Sequence, residues 1–397
     1  MRLPRLLVAG AVAAATLATA PPATAAPDRW QVPSPATIVV RGHGYGHGHG
    51  MSQYGAEGAA REGLTYEQIA EFYYPGLRWG RARGRVTVQI TADATDDLVV
   101  RPRAGLTVRD TGGDSEPVEL PDNGAALWRV ADRRDGSTWV AYQPGGAKKR
   151  WRAWRELTGS GEFAAGERPV TLVTPAGDRA YRGRLRAAPV GTDRVTVNDV
   201  ALEDYLKGVV PLEIPALWST EAVRAQAVAA RTYAGYERAH PRSPAYQLCD
   251  TWSCQVYGGV DAEHPASNRA VRATRGRVLT HKGEPAFTQF GSSSGGWTAA
   301  GSVPYLVAQE DPYDGWSGNP NHTWSVTITD AALERAFPAV GDLRSIRVTR
   351  RDGNGDWGGR VGSLTLVGSS GRAVVSGDAM RSALGLRSTW FTFRVRR

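Results

Sequence analysis

"VNDVALEDYLKGVVPLEIPALWSTEAVRAQAVAARTYA", residues 197–234, decides how the rest of the chain is read. Val195-Thr196-Val197 reads as a strand and Asn198-Asp199 as a turn. A short helix is expected over Leu202 to Val209. Leu212-Glu213-Ile214-Pro215 should break it, because Pro215 pushes Ile214 out of the α region. Ser219 is then expected to cap a long helix reaching about Arg238. Val223, Ala227, Ala230 and Ala234 give that helix a narrow small-residue stripe suited to close packing. Glu213 is the residue to explain. A carboxyl between Leu212 and Ile214 is expected to have a raised pKa, which suits a general acid near neutral pH. The competing reading is an exposed loop carboxylate paired with an arginine. Arg224, Gln226 and Arg231 on the following helix are candidates for binding a substrate's carboxylate or amide groups.

Outward from this block the pattern changes. From Gly84 to about Val197, apolar residues alternate in "RVTVQI", "LTVRD", "ALWRV", "TWVAYQ", "PVTLVT" and "YRGRL", separated by Gly, Pro and Asp turns. Strands at this spacing predict a small antiparallel barrel or sandwich, and no catalytic cluster falls in it. Its "KKRWRAWRE" (148–156) reads as a solvated strand or loop, with contact to an anionic wall polymer as the alternative. The fold class is therefore α+β. A mixed catalytic domain with a long central helix and antiparallel strands covers 191–397, and a small all-β domain covers 84–190.

The beginning of the chain sets the compartment. Arg2 and Arg5, the apolar run Leu6 to Ala20 and the small-x-small Ala23-Thr24-Ala25 predict a signal peptide over 1–26. The run falls short of the ~20 residues a membrane span needs, and no later stretch is apolar enough. The expectation is a secreted, extracytoplasmic protein associated with the cell wall. A net charge of +9 then suits anionic wall polymers, and export argues against nucleic acid. Thirteen Trp and 14 Tyr against 7 Phe favour flat amphipathic rings, which suit sugar faces. Residues 27–36 read as a linker.

"GHGYGHGHGMSQYGA" (42–56) is a poor helix and a weak strand, so something must hold it in one shape. Its His43, His47 and His49 could bind zinc or copper, although no carboxylate or Cys stands beside them in sequence. A helix follows over Leu64 to Tyr73, with Thr65 and Gln68 as a capping box and Pro75-Gly76 as its end.

At this point the chain resembles a known family. Residues 197–234 resemble the core motif of the stage II sporulation protein D family, also called the SpoIID/LytB amidase-enhancer family. "CDTWSCQVYGG", "FTQFGSSSGGWTA", "VPYLVAQEDPYD" and "MRSALGLRSTWF" resemble its later blocks, in order, over roughly 85–397. "GYGHGHGMSQYGA" and "GLTYEQIAEFYYPG" resemble blocks that many members carry at the C-terminus, after "LGLRSTWF". Here they come first, so the order looks permuted, and 37–83 is expected to complete the catalytic domain. Permutation keeps a fold only where the old termini lie close together. Strand Ile38–Val40 should therefore lie near Trp390 to Phe393.

Members of that family that are enzymes are peptidoglycan lytic transglycosylases, cleaving the MurNAc–GlcNAc bond of peptide-stripped strands and leaving 1,6-anhydro ends. The resemblance puts the acid on Glu213 and places His47, Ser52, Gln53, Gln255, Tyr257, Ser292, Ser293, Ser294, Tyr313 and Asp314 around the groove. The implied partners are glycan strands and a cell-wall amidase, with no cofactor; the family's second name implies a non-catalytic amidase enhancer as the alternative. One carboxyl suffices for a transglycosylase, whereas a hydrolase would need a pair drawn from Glu310, Asp311 or Asp314. Some members carry His where this chain has Ser253 and Gly291, and some bind zinc through a His and two Cys. Cys249 and Cys254 could thus join His240 or His264 on a metal, but an exported close pair favours a disulfide. "DGNGDWGG" (352–359) imitates a calcium loop but lacks the bidentate Glu, and reads as a hairpin turn.

Overall fold

The computed structural model describes residues 28–113, 115–146 and 150–397. The expected signal peptide over 1–26 lies outside the described residues, as do Lys148 and Lys149 of the basic stretch. Helices and mostly antiparallel strands alternate in a mixed α+β architecture, and the buried apolar side chains form two cores.

The first core is built by two sheets and a set of helices. One sheet runs in spatial order Leu248–Cys249, Arg85–Gln89, Asp193–Ala201, Arg184–Val190, Gly161–Ala164, Thr107–Asp110 and Val118–Glu119. The other runs Arg152–Leu157, Thr138–Pro144, Ala125–Asp132, Leu98–Val100, Val170–Thr174 and Gly177–Tyr181. The first sheet contributes Val108 and Phe163 to this core, and the second contributes Val130 and Leu172. Helix Thr220–Ala239 packs on helices Gln53–Arg61, Tyr66–Tyr73, Leu202–Glu213 and Pro265–Ala273. Its stripe residues Val223, Ala227, Ala230 and Ala234 are all buried. Small side chains there leave the helix backbone within reach, and Thr288 Oγ1 donates to Ala229 O at 2.9 Å.

The second core joins the two ends of the described chain. Strand Thr37–His43 lies between Thr323–Thr329 and Phe391–Arg396, antiparallel to both. Ile38 faces Val395 and Val40 faces Phe393, and His43 N donates to Trp390 O at 2.9 Å. The apolar C-terminal strand thus finds the partner that the permuted order predicts. An unpaired apolar edge would otherwise be open to association.

Several local expectations are corrected. Residues 27–36 are not simply a linker: Arg29–Gln31 pairs antiparallel with Ser345–Arg347, and Trp30 packs edge-on against Phe393 at 5.2 Å between centroids. The helix expected to end at Val209 runs on to Glu213 through Pro211. Proline sacrifices one hydrogen bond near a helix end, yet Ile214 N still donates to Val210 O at 3.1 Å. Ile214 itself is extended (φ −133°, ψ 141°), as Pro215 requires. "YRGRL" divides into two strands, ending at Tyr181 and resuming at Arg184. Ser219 stands at the N-cap but does not cap through its side chain: its N and Oγ both donate to buried Glu57, at 2.8 and 3.1 Å. Thr65 and Gln68 do form the capping box, and the 352–359 segment is the turn between strands Leu343–Arg351 and Val361–Gly368.

Candidate functional site

Glu213 is the last residue of its helix, and its carboxyl is partly buried. Val256 N donates to Glu213 Oε1 at 2.9 Å, and the Gln53 side chain gives a second hydrogen bond. Burial raises the Glu213 pKa above the ordinary glutamate range, and these two bonds only partly oppose it. The carboxyl is thus held in place from two sides and biased toward its protonated form.

Gln53 reaches this position because the glycine–histidine ribbon delivers it. The ribbon turns through left-handed glycines, and at Gly50 (φ +66°) a Cβ would come within 2.1 Å of Gln289 O. Met51–Ser52 then pairs in parallel with Phe290–Gly291. Ser52 caps the helix that Gln53 begins: its Oγ accepts from Gly55 N at 3.0 Å and donates to Asp314 Oδ1 at 2.7 Å. The ribbon therefore lies against the Glu213 site.

The ribbon's histidines do not converge on a metal. His47 and His49 stack at 5.0 Å, and His49 N donates to His47 Nδ1 at 2.9 Å. Burial, His49 and the Arg360 guanidinium push His47 down to about 4, so it is neutral at pH 7. His43 stands apart, against Trp390 at 4.6 Å and Trp357 at 4.8 Å. Among the described residues no group of three metal-ligating side chains gathers anywhere. The zinc alternative at Cys249 and Cys254 is corrected too: they form a disulfide, with Cα atoms 5.5 Å apart. His240 Nδ1 is 3.0 Å from Tyr236 O, and His264 Nδ1 accepts from Ala266 N, so these residues do not fit a zinc centre.

The serine loop and its acids form a buried knot behind the ribbon. Asp314 is fully buried and accepts from Ser52 Oγ, Ser293 Oγ, Ser294 N, Gly295 N and Asn319 Nδ2, with His322 Nδ1 at 2.9 Å. These bonds hold its carboxyl below the ordinary aspartate range despite burial, the His322 bond being the strongest of them. Asp311 accepts from Tyr73 Oη and Ser294 Oγ, and burial with the nearby Asp314 charge pushes it up to about 7. Ser293, Ser294 and Asp314 therefore scaffold the ribbon, the two serine hydroxyls being committed to Asp314 and Asp311. Asp311 and Asp314 are likewise closed to service as a second, water-activating carboxylate. Ser292 is only half buried, and its Oγ accepts from Asn321 Nδ2 at 3.2 Å. Tyr313 packs edge-on against Phe72 at 5.1 Å.

The helix residues divide similarly. Arg231 is fully buried and ties Glu203 (2.9 and 3.0 Å) to the carbonyls of Ala227, Val271 and Arg277, so it cannot meet a substrate. Arg224 pairs with Glu221 at 2.6 Å. Gln226 is fully buried, and neither amide atom finds a protein partner. Gln255 donates to Ala230 O and accepts from Tyr205 Oη, while Tyr257 Oη donates to Asn198 Oδ1 at 2.8 Å. Both flank Val256 and fix the peptide that holds Glu213. Sequence reasoning missed the Val256 amide, which carries no residue-type signal. It also missed Asn198, whose "VND" context reads as a turn but which lies inside strand Asp193–Ala201.

Residues 191–281 match the family model described as Stage II sporulation protein (SpoIID). Over 263 residues the chain is 28% identical to stage II sporulation protein D of Bacillus subtilis, covering 59% of this chain and 73% of that one. Over 135 residues it is 40% identical to the amidase enhancer of Bacillus subtilis, covering 32% of this chain and 17% of that protein. An uncharacterized protein of Brachyspira hyodysenteriae is 36% identical over 133 residues, 36% of its length. The chain thus spans well under two thirds of these last two relatives.

Proposed function

We propose that this chain, whose residues 191–281 match the Stage II sporulation protein (SpoIID) model, is an exported cell-wall protein that cleaves peptidoglycan glycan strands as a lytic transglycosylase. The observation that carries this is the Glu213 carboxyl, partly buried, raised in pKa and gripped by only two donors. Protonated Glu213 gives its proton to the glycosidic oxygen as the MurNAc–GlcNAc bond breaks. The resulting carboxylate then takes the proton of the muramic 6-hydroxyl as that oxygen closes on the anomeric carbon. One group serves twice, so no second carboxylate is needed, in contrast to hydrolases. Gln53 and the Val256 amide keep the carboxyl aimed through both steps. The +9 charge favours approach to an anionic wall.

The 40% identity to a protein named amidase enhancer favours a second reading, a glycan-binding activator of a separate amidase. Incubating the protein with peptide-free glycan and analysing products by mass spectrometry separates the two. Anhydro-ended fragments support the lytic reading. Intact glycan, with a stimulated amidase, supports the activator.

A further inference from the structure

Each hand that grips Glu213 is followed or preceded by aromatic side chains. On the Gln53 side, the Tyr54 ring packs against Trp218 at 4.8 Å and Trp316 at 6.1 Å, and Trp316 Nε1 donates to Tyr54 O at 2.9 Å. Those rings are half buried in one another. On the Val256 side stands Trp252, whose indole is 87% exposed. No other large apolar residue among the described ones is left as open to water. An aromatic face of that size has substantial apolar surface to bury, with a polar edge that tolerates water.

The loop that carries Trp252 is tied down at several points. Cys249 and Cys254 close it covalently, and Cys254 N donates to Thr251 O at 2.9 Å. Asp250 accepts from Thr91 N and Thr91 Oγ1, and Tyr257 N donates to Asp250 O at 3.2 Å. A short loop pinned in this way presents its ring at little cost in ordering on binding. Trp252 precedes Val256 by four residues, so their backbones lie within about 14 Å even if fully extended. That is the span of a few sugar rings from the Glu213 carboxyl.

We propose that Trp252 is the stacking platform for a pyranose ring of the glycan strand, on the Val256 side of the cleaved bond. The flat C–H face of a pyranose matches an exposed indole, and the loop's one charged side chain, Asp250, is buried and bonded to Thr91. This inference rests on the reading of Glu213 as the acid of a glycan-cleaving site.

The test uses Glu213→Gln protein, which binds without cleaving, and peptide-free glycan oligosaccharides of one length, followed by calorimetry. Adding Trp252→Ala should weaken binding about tenfold, as loss of a ring-stacking contact does, whereas Trp252→Phe should keep most of the affinity. In the cleaving protein Trp252→Ala should raise KM by a similar factor with kcat nearly unchanged. Circular dichroism should be unaltered, since the side chain supports no core. Unchanged affinity and KM in Trp252→Ala would overturn the proposal, including the case where only stimulation of an amidase is lost. So would absence of any glycan binding. Trp252-dependent binding of a glycan that is never cleaved would leave the platform standing and remove the lytic reading; cleavage indifferent to Trp252 would do the reverse.

Discussion

Glu213 and Asp314 are both carboxyls withdrawn from water, yet they are treated oppositely. Asp314 is surrounded by donors from Ser52, Ser293, Ser294, Gly295 and Asn319 with His322 alongside, and is held ionised. Glu213 has one backbone amide and one side-chain amide, and is pushed toward its protonated form. A saturated carboxylate has no lone pair left for chemistry and instead locks the segments that feed it. An under-bonded one can both give and take a proton. Counting donors thus separates Asp314 from Glu213 where burial alone does not.

The comparison can be broken at either end. The largest effect is expected at Glu213→Gln, which keeps size and hydrogen bonding but removes the acidic proton. Cleavage should fall about 10²–10⁴-fold with an unchanged melting temperature. A rate near wild type would dismiss Glu213 as the acid. Asp314→Ala should act through stability, because it leaves several buried donors unpaired and removes the counter-ion of His322. Chemical denaturation should show a loss of about 3 kcal/mol or more. If Asp314→Ala were as stable as wild type but inactive, the division of roles drawn above would be reversed.

Asp311 sharpens the comparison through pH. Its folded pKa of about 7 lies above the ordinary aspartate value of about 3.9. Between those values the folded chain keeps a proton that the unfolded chain has released. Stability should therefore fall as pH rises through that window, by up to about 1.4 kcal/mol per pH unit. Asp314 has the opposite sign, and its contribution is lost only as pH drops below the ordinary aspartate range. Asp311→Asn should flatten the upper slope in denaturation curves collected at a series of pH values, and a slope that persists would assign it elsewhere. The smallest effect belongs to His47→Ala. Cleavage should drop a few-fold without unfolding, and by the same factor across about pH 5–8, because His47 is already neutral there. A loss that grows as pH falls across that range would contradict its neutral state.

Much of this was legible in the sequence, for identifiable reasons. The isolated carboxyl between Leu212 and Ile214 stands out by chemistry alone. The apolar alternation of 391–396 demands a strand partner, and Thr37–His43 supplies it. The capping box at Thr65 is a local pattern and forms as read. What failed was long-range or backbone-borne. Arg231 looks like a ligand for substrate until Glu203, 28 residues earlier, is seen to neutralise it. Ser293 and Ser294 look like sugar-binding hydroxyls until the acids at 311 and 314 fold back onto them. The helix expected to end at Val209 runs on to Glu213, because Pro211 in its last turn costs little there.

The most direct test is a titration of the carboxyl carbons by NMR in protein with labelled glutamate, using Glu213→Gln to assign the signal. The account predicts that Glu213 titrates above the ordinary glutamate value of about 4.3, and that Gln53→Ala moves it further up by removing a bond to the ionised form. A Glu213 midpoint at or below that ordinary value would contradict it.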